Sequence, residues 1–427
     1  MKRMLTACAI LLVAQVALGA STLTYVSFYS PSLGANRMVG VYLPNGYNPA
    51  GSQRYPVIYY LHGFWDDQTS NSTDLKGALD ELIGSGAIRP VIVIKPSGAG
   101  GPFAGTAWAN SALYGRYEDY VVSDLVPWAD GHYLTIADRH KRALMGHSGG
   151  AIGTFTIGFT HPELFQAVAA HSAFTNWDRI RGDIRTQLLA ENAGPPYDYN
   201  PYGGMYTQAV FSLAGAYTPN LSNPPYQVDL PFDSWGGVVE SVVTRWKTHN
   251  PDVLLAGVSP GLWPAIYFDC GTMDEFYMHQ TNLDLVASFN TMGVPHTFES
   301  YVGHHADMLA QRYRISLRFL DAAMITTDVL PLPLPKQLAM LPNSPDPFNP
   351  STDIRYVLPQ QAPVTVTVYD ARGRRVRDLY FGEQGAGLHG VRWDGKDNQG
   401  TSSPSGMYIA RVESPTGRGS EKLTLLK

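Results

Sequence analysis

From residue 22 to about 325 the apolar positions alternate between two rhythms. Short runs of β-branched and aromatic residues predict strands at Thr22–Phe28, Arg37–Leu43, Pro56–Leu61, Pro90–Ile94, Arg142–Met145, Ala167–His171, Ala265–Phe268 and Thr297–Tyr301. Apolar positions three and four residues apart predict helices at Ser72–Ser85, Tyr117–Tyr133, Gly150–Thr160, Gln280–Met292 and Ala306–Met324. Strands that alternate with helices make a mostly parallel sheet covered on its faces, an α/β fold. The first two strands have no helix between them, which predicts an antiparallel edge. From Thr175 to Gly261 the rhythm breaks into a Pro-, Tyr- and Asn-rich stretch with one helical pattern, Trp235–Lys247. An insertion of this kind is expected to form a lid or a substrate-facing wall.

Residues 326–350 hold seven prolines, the composition of an extended, semi-rigid linker. Beyond it, Asp353–Leu358, Val364–Asp370, Arg375–Tyr380, Leu388–Asp394, Gly406–Glu413 and Gly419–Leu426 alternate apolar and polar positions between Gly-rich turns. They predict a small all-β, immunoglobulin-like sandwich. At the other end, Lys2 and Arg3 precede an apolar run, Met4–Leu18, with small residues at Ala17, Gly19 and Ala20. This is the pattern of an export signal and too short a run to span a bilayer. The expected organisation is a signal peptide over 1–20, an α/β domain over 21–325, a linker over 326–350 and a β-sandwich over 351–427. The expected product is secreted or displayed at the cell surface and is not an integral membrane protein after processing.

Charge narrows the function. The net −5 includes Lys2 and Arg3 at the start and 11 Lys/Arg against 9 Asp/Glu in 341–427, leaving −9 for the segment between. Nucleic-acid binding needs clustered positive charge, so no nucleic-acid partner is expected. Removal of the signal takes Cys8 with it; Cys270 then remains without a disulfide partner and is expected to be a buried structural thiol.

The pattern G-x-S-x-G occurs at Gly146–Gly150 and at Gly257–Gly261, and context separates the two. A nucleophile elbow needs a strand before the serine, a helix after it, small neighbours, and a free N–H on the next residue to bind an oxyanion. Ser148 meets these conditions, with Gly149 as donor. Ser259 does not, because Pro260 has no N–H. A serine nucleophile needs a base and a group to orient that base, and in this fold the acid and then the histidine follow the serine in the chain. Strand Ala265–Phe268 runs into Asp269-Cys-Gly-Thr-Met-Asp274-Glu275. Asp274, on the loop beyond Gly271, is the favoured acid, with Asp269 and Glu275 as alternatives. Strand Thr297–Tyr301 runs into Val302-Gly-His304-His305, and spacing permits either histidine. The second oxyanion donor is expected on the loop after Pro56–Leu61, at the N–H of Phe64. Trp65 and Trp108 are candidate walls for an acyl or aromatic group. Glu118 and Asp119 read as solvated carboxylates at a helix start, and Asp394 and Asp397 as a polar hairpin turn. One short His-His-x-Asp run supplies no metal constellation, so neither a metal nor another cofactor is expected.

VYLPNGY (41–47), YYLHGF (59–64), WANS (108–111), YEDYVVSDLVPWAD (117–130), RALMGHSGG (142–150), DCGTMDEF (269–276) and YVGHHADM (301–308) together resemble the esterase D-type α/β-hydrolases. That group includes S-formylglutathione hydrolases, feruloyl esterases and mycolyltransferases. The resemblance implies the catalytic histidine in a Gly-x-His pattern at His305 and the acid in a Gly-x-x-Asp pattern at Asp274. Gly149-Gly150 departs from the family's usual Met-Gly and leaves Gly149 without a packing side chain. The tail, with PNSPDPFNPST (342–352), VYDARGRRVRDL (368–379), WDGKDNQG (393–400) and SGMYIARV (405–412), resembles the C-terminal sorting domains of type IX-like secretion, which implies secretion machinery as a partner. The expected function is hydrolysis of carboxylic esters, of small molecules or carbohydrate-linked acyl groups such as feruloyl or acetyl, by Ser148, His305 and Asp274. The alternatives are acyl transfer of the mycolyltransferase type and an inactive surface binding module.

Overall fold

The computed structural model describes residues 20–325 and 337–427, apart from Pro345, Gln361, Gly385 and Ala386. The expected signal peptide, save Ala20, and the first part of the expected linker lie outside the described residues. The chain divides into two compact units between Thr326 and Thr327.

The first unit is built on an eight-stranded sheet of β1 (Thr22–Ser30), β2 (Ala35–Leu43), β3 (Val57–Leu61), β4 (Ile92–Pro96), β7 (Arg142–His147), β8 (Ala167–His171), β9 (Ala265–Gly271) and β10 (Thr297–Tyr301). A two-residue ribbon, β5 (Asn110–Ser111) and β6 (Gly115–Arg116), stands apart from it. The spatial order is β1-β2-β4-β3-β7-β8-β9-β10. β2 runs antiparallel to β1 and β4, and every other pair is parallel. All eight strands read from the sequence are present. β9 continues through Asp269 to Gly271 because its ladder with β10 outlasts the apolar run.

Side chains of a strand point alternately to opposite faces, so a sheet covered on both sides needs continuously apolar strands. β3 shows this directly: Val57, Tyr59 and Leu61 enter one core cluster and Ile58 and Tyr60 the other. In β7, Leu144 divides from Ala143 and Met145 in the same way. Helices α1 (Ser72–Gly84) and α10 (Leu309–Ile325) cover the Ile58 face, and α4 (Gly149–Thr160) packs on the other. The helix expected over 117–133 is present as α2 (Tyr117–Asp119), a π-helical segment Tyr120–Leu125, and α3 (Val126–His132). Glu118 at its start is not solvated as expected: it accepts hydrogen bonds from Thr160 Oγ1 at 2.6 Å and pairs with His161 Nε2 at 3.1 Å. Asp119 is likewise engaged, by Asn110 Nδ2 at 2.9 Å and by Arg116.

The insertion is far more helical than its composition suggests. It holds the 3-10 turn Trp177–Arg181, α5 (Asp183–Glu191), α6 (Met205–Tyr217), α7 (Glu240–Lys247) and α8 (Pro251–Ala256). The expected helix from Trp235 starts only at Glu240, because Gly236 takes a left-handed backbone (φ 77°) and Asp233 caps the turn through the N–H groups of Trp235 and Gly237. α6 carries no charges and is buried from Val210 to Tyr217, so it lacks the polar face that makes a helix legible. The last helix before β10 is α9 (Met278–Met292).

The second unit consists of a three-stranded sheet of β11 (Ala339–Ser344), β12 (Thr352–Leu358) and β15 (Gly387–Trp393), and a four-stranded sheet of β13 (Ala362–Asp370), β14 (Arg375–Gln384), β16 (Gly406–Ser414) and β17 (Gly417–Leu425). One core, with Ile354, Tyr356, Val366, Trp393, Tyr408 and Leu423, draws on both sheets, as in an immunoglobulin-like sandwich. β11 lies inside the stretch whose prolines marked it as linker; it pairs with β12. Proline is compatible with an edge strand, which leaves one row of N–H groups unpaired, and β11 is an edge of its sheet. Asp397 accepts the N–H groups of Gln399 and Thr401, and Asp394 that of Lys396, as expected for a polar turn. Among the described residues no helix is long and apolar enough to cross a membrane.

Candidate active site

The turn from β7 into α4 holds Ser148 at φ 57°, ψ −121°, a backbone that a residue with a Cβ adopts only under strain from its surroundings. The surroundings supply it. Ser148 N donates to His171 O on β8 at 2.9 Å, while α4 begins at once with Gly149. A Cβ on Gly150 would stand 2.0 Å from Leu61 O, so only glycine lets the helix start so close to β3. At Gly149 a Cβ would meet the Phe64 ring at 2.7 Å. Phe64 therefore fills the space that a side chain after the serine would take, which answers the departure noted in the sequence.

Phe64 sits on the loop after β3. His62 pins that loop: its Nδ1 donates to Gly63 O and its Nε2 accepts the N–H of Gly98, both at 2.8 Å. Burial lowers the His62 pKa, which keeps the imidazole neutral and able to accept at Nε2. The N–H of Gly149 opens a helix and has no intrahelical partner, and Phe64 N lies 3.2 Å from the Cβ position of Gly149. Two backbone donors thus stand together beside Ser148.

The loops after β9 and β10 bring Asp274 and His305 together, with His305 Nδ1 2.8 Å from Asp274 Oδ2. Both residues are buried. Asp274 Oδ1 also accepts the N–H of Phe276 at 2.9 Å, which fixes the carboxylate plane. His305 is held from several sides. Its N–H donates to Glu275 Oε2 at 3.0 Å, and its carbonyl accepts from His147 Nε2 at 3.0 Å and Ser172 Oγ at 3.2 Å. His147 precedes Ser148, and its ring centroid lies 4.9 Å from that of His305. Burial and the neighbouring His305 push the His147 pKa down to about 3, so it stays a neutral donor. Ser148 Oγ and His305 Nε2 are not hydrogen-bonded to each other; such bonds often close only when substrate arrives.

The alternatives read from the sequence have other partners. His304 is exposed and faces Glu275 at 3.6 Å. Asp269 is fully buried between His171 Nδ1 (3.0 Å), Arg312 Nε (2.8 Å) and Tyr267 OH (2.8 Å). Cys270 is buried, with Sγ 3.6 Å from Asp274 Oδ2, and burial pushes its thiol pKa up. Ser259 leads only into the 3-10 turn Pro260–Leu262. Trp65 lines a cleft beside Ser148, whereas Trp108 does not: it is 2% exposed, donates to His62 O and fills the gap between Gly98 and Gly153. An aromatic next to a strand-end loop looks the same in sequence whether it faces substrate or core. Sequence reading missed His147 and the insertion residues Ile180, Ile184, Tyr206, Val210 and Leu213, which form much of the cleft wall. Among the described residues no group of three or more His, Cys, Asp or Glu side chains is arranged to hold a metal ion.

A family model described as "Putative esterase" matches residues 30–308. The chain belongs to this esterase family. A second model, the FlgD Ig-like domain, matches residues 349–418. An endo-1,4-beta-xylanase/feruloyl esterase of Xylanibacter ruminicola is 37% identical over 146 residues, 33% of this chain and 20% of that protein. An esterase of Mycobacterium tuberculosis is 28% identical over 290 residues, 66% of this chain and 55% of that one. The chain thus spans about a fifth and about half of the lengths of these curated relatives. Among solved structures, a ferulic acid esterase superposes with a TM-score of 0.52 at 20% identity, covering 71% of this chain and 99% of that one. At that identity the likeness speaks for the fold of the esterase domain.

Proposed function

We propose that this esterase-family chain is an exported serine hydrolase of carboxylic esters. Ser148 Oγ attacks the ester carbonyl carbon as His305 takes its proton, and the N–H groups of Phe64 and Gly149 hold the oxyanion. Collapse breaks the bond to the alcohol oxygen, which leaves with the proton from His305, and the acyl group stays on Ser148. Water then attacks that acyl carbonyl, giving its proton to His305, and the carboxylic acid departs as Ser148 recovers its proton. Asp274 holds the Nδ1–H and stabilises the imidazolium formed at each step. The observation that carries this reading is the buried Asp274–His305 pair, anchored by His147, the residue before a serine in a strained strand-to-helix turn. Purified Ser148→Ala, shown by circular dichroism to be folded, should lose turnover of a nitrophenyl ester and labelling by a fluorophosphonate; full residual activity would remove Ser148 from the mechanism.

The same reading takes residues 1–20 as a signal peptide, 21–325 as the esterase domain, 326–350 as a Pro-rich linker and 351–427 as a sorting domain engaged by type IX-like secretion machinery. Phe348, within the Pro- and Asn-rich motif, supports a structural part for that motif. It is buried in the sandwich, and its N–H and carbonyl bond Thr424 O and Leu426 N at 2.9 and 3.0 Å. In a host with such machinery, deletion of residues 337–427 should retain the enzyme inside the cell envelope; undiminished release would refute a sorting role. The alcohol half of the substrate we take to be carbohydrate-linked, after the relative whose name joins xylanase and feruloyl esterase.

A further inference from the structure

We propose that the acyl group this site accepts is an unsubstituted aliphatic chain of medium length, in preference to acetyl or a hydroxylated cinnamoyl group. The proposal rests on the serine-esterase reading and concerns the cleft that opens beside Ser148. That cleft is walled almost wholly by apolar and aromatic side chains from the loop after β3 and from α4, α5, α6 and α9, more apolar wall than an acetyl group can cover. Ile152 of α4, Met278 of α9, Ile184 of α5 and Val210 and Leu213 of α6 are among the side chains that line it.

What the wall lacks is as informative as what it presents. A hydroxylated acyl group needs a polar partner in the cleft, because a buried hydroxyl without one loses its bonds to water and gains nothing in return. Apart from Ser148, the wall's side-chain nitrogen and oxygen atoms are the indole nitrogens of Trp65 and Trp177 and the hydroxyl of Tyr206. Trp65 Nε1 already donates to Gln208 Oε1 at 2.8 Å, and Tyr206 OH to Glu275 O at 2.7 Å. Trp177 Nε1 is a buried donor without a partner among the described residues; it and the acceptor side of the Tyr206 hydroxyl are the groups that would favour an oxygen on the acyl chain. Its ring stands edge-on to Trp246, 5.6 Å away at 85°, and stacks on Phe174 at 4.6 Å. This packing gives the indole aromatic neighbours on two sides. Methylene groups, by contrast, gain along the whole length of such a wall, by up to about fourfold in affinity for each one buried.

The test is a substrate series on the full chain: nitrophenyl acetate, butanoate, hexanoate and octanoate, and methyl cinnamate against methyl 4-hydroxycinnamate. The expected result is a kcat/KM that climbs from acetate to hexanoate or octanoate, with the hydroxylated cinnamate roughly tenfold poorer than cinnamate. Ala209→Phe, which narrows the same wall from α6, should move the optimum toward shorter chains. A maximum at acetate, or a hydroxylated cinnamate that outruns the unsubstituted one, overturns the proposal while leaving the esterase reading intact. No turnover of any ester, together with no fluorophosphonate labelling, overturns both.

Discussion

His171 and Asp269 meet at 3.0 Å where β8 and β9 end side by side, and His305 and Asp274 meet at 2.8 Å on the loops that follow β10 and β9. The two pairs have the same side-chain chemistry and opposite surroundings. Asp269 shares its charge with Arg312, and His171 uses its second nitrogen on Ser316 Oγ at 3.1 Å, so every polar atom of that pair is engaged and fully buried. Among the described residues Asp274 pairs with no Lys or Arg and holds the His305 imidazole, and His305 Nε2 makes no hydrogen bond. A histidine with a carboxylate on one nitrogen and nothing on the other can take up a proton and pass it on; a histidine engaged at both can only hold structure. The comparison teaches that the pairing itself says little about role; what separates the two is the free nitrogen of His305 and its contact with His147, the residue before Ser148.

The sharpest way to break this comparison is to disable each pair in turn. We predict that Asp274→Asn and His305→Ala lower kcat by about 10⁴-fold, because the base is lost or held in the wrong tautomer, while the melting temperature moves little. Asp269→Asn should show the reverse, a loss of stability with a smaller effect on kcat in whatever fraction stays folded. Ester turnover normalised to folded protein, read beside thermal unfolding, separates the two patterns. Equal losses of kcat in both pairs would abolish the distinction.

A second test acts on the structural pair alone. Arg312→Met removes the cation and leaves Asp269 buried with insufficient compensation, which should cost about 3–5 kcal/mol of stability in denaturant unfolding. The pH dependence follows from the same contacts. Burial on its own would raise the Asp269 pKa, but His171 and Arg312 outweigh it and the net shift is downward. A depressed carboxylate pKa contributes stability that is complete above the unfolded value, about pH 4, and is lost as pH falls through the folded one. The native protein should therefore hold its stability down to about pH 4 and lose it below. In Arg312→Met the decline should begin at higher pH. An acid limb that Arg312→Met leaves unmoved would mean that other carboxylates set it.

How much of this was legible beforehand depends on what each residue's signal is made of. Strands β3, β7 and β8 are buried on both faces and announce themselves as unbroken apolar runs, and Ser148 is marked by glycines that the backbone itself requires. Asp274 could be placed on its loop by the Gly271 turn, but Asp269 and Asp274 differ mainly in neighbours contributed by β8 and α10, about a hundred and forty residues away from each other. Trp108 illustrates the same limit, since its core position depends on Gly98 and Gly153 lying on either side of it in space. The insertion was least legible, because α6 carries no charge and is buried from Val210 onward and so shows no polar face, and it is this helix that supplies part of the cleft wall.

The smallest expected effect falls on the neighbour of the proposed base. His304 is 58% exposed in its side chain, its Nδ1 stands 3.6 Å from Glu275 Oε2, and its backbone N–H donates to Asp307 Oδ2 at 2.8 Å. An exposed pair at that distance contributes about 0–1 kcal/mol. His304→Ala keeps the backbone bond to Asp307, and it leaves Glu275 Oε2 accepting the N–H of His305 at 3.0 Å. We therefore predict that stability changes by no more than about 0.5 kcal/mol and kcat by less than about twofold. The value of this variant lies in its position one residue from the base. If His304→Ala abolished turnover and His305→Ala did not, the loop would present the other imidazole to Ser148, and the Asp274–His305 pair would join Asp269–His171 as a structural contact.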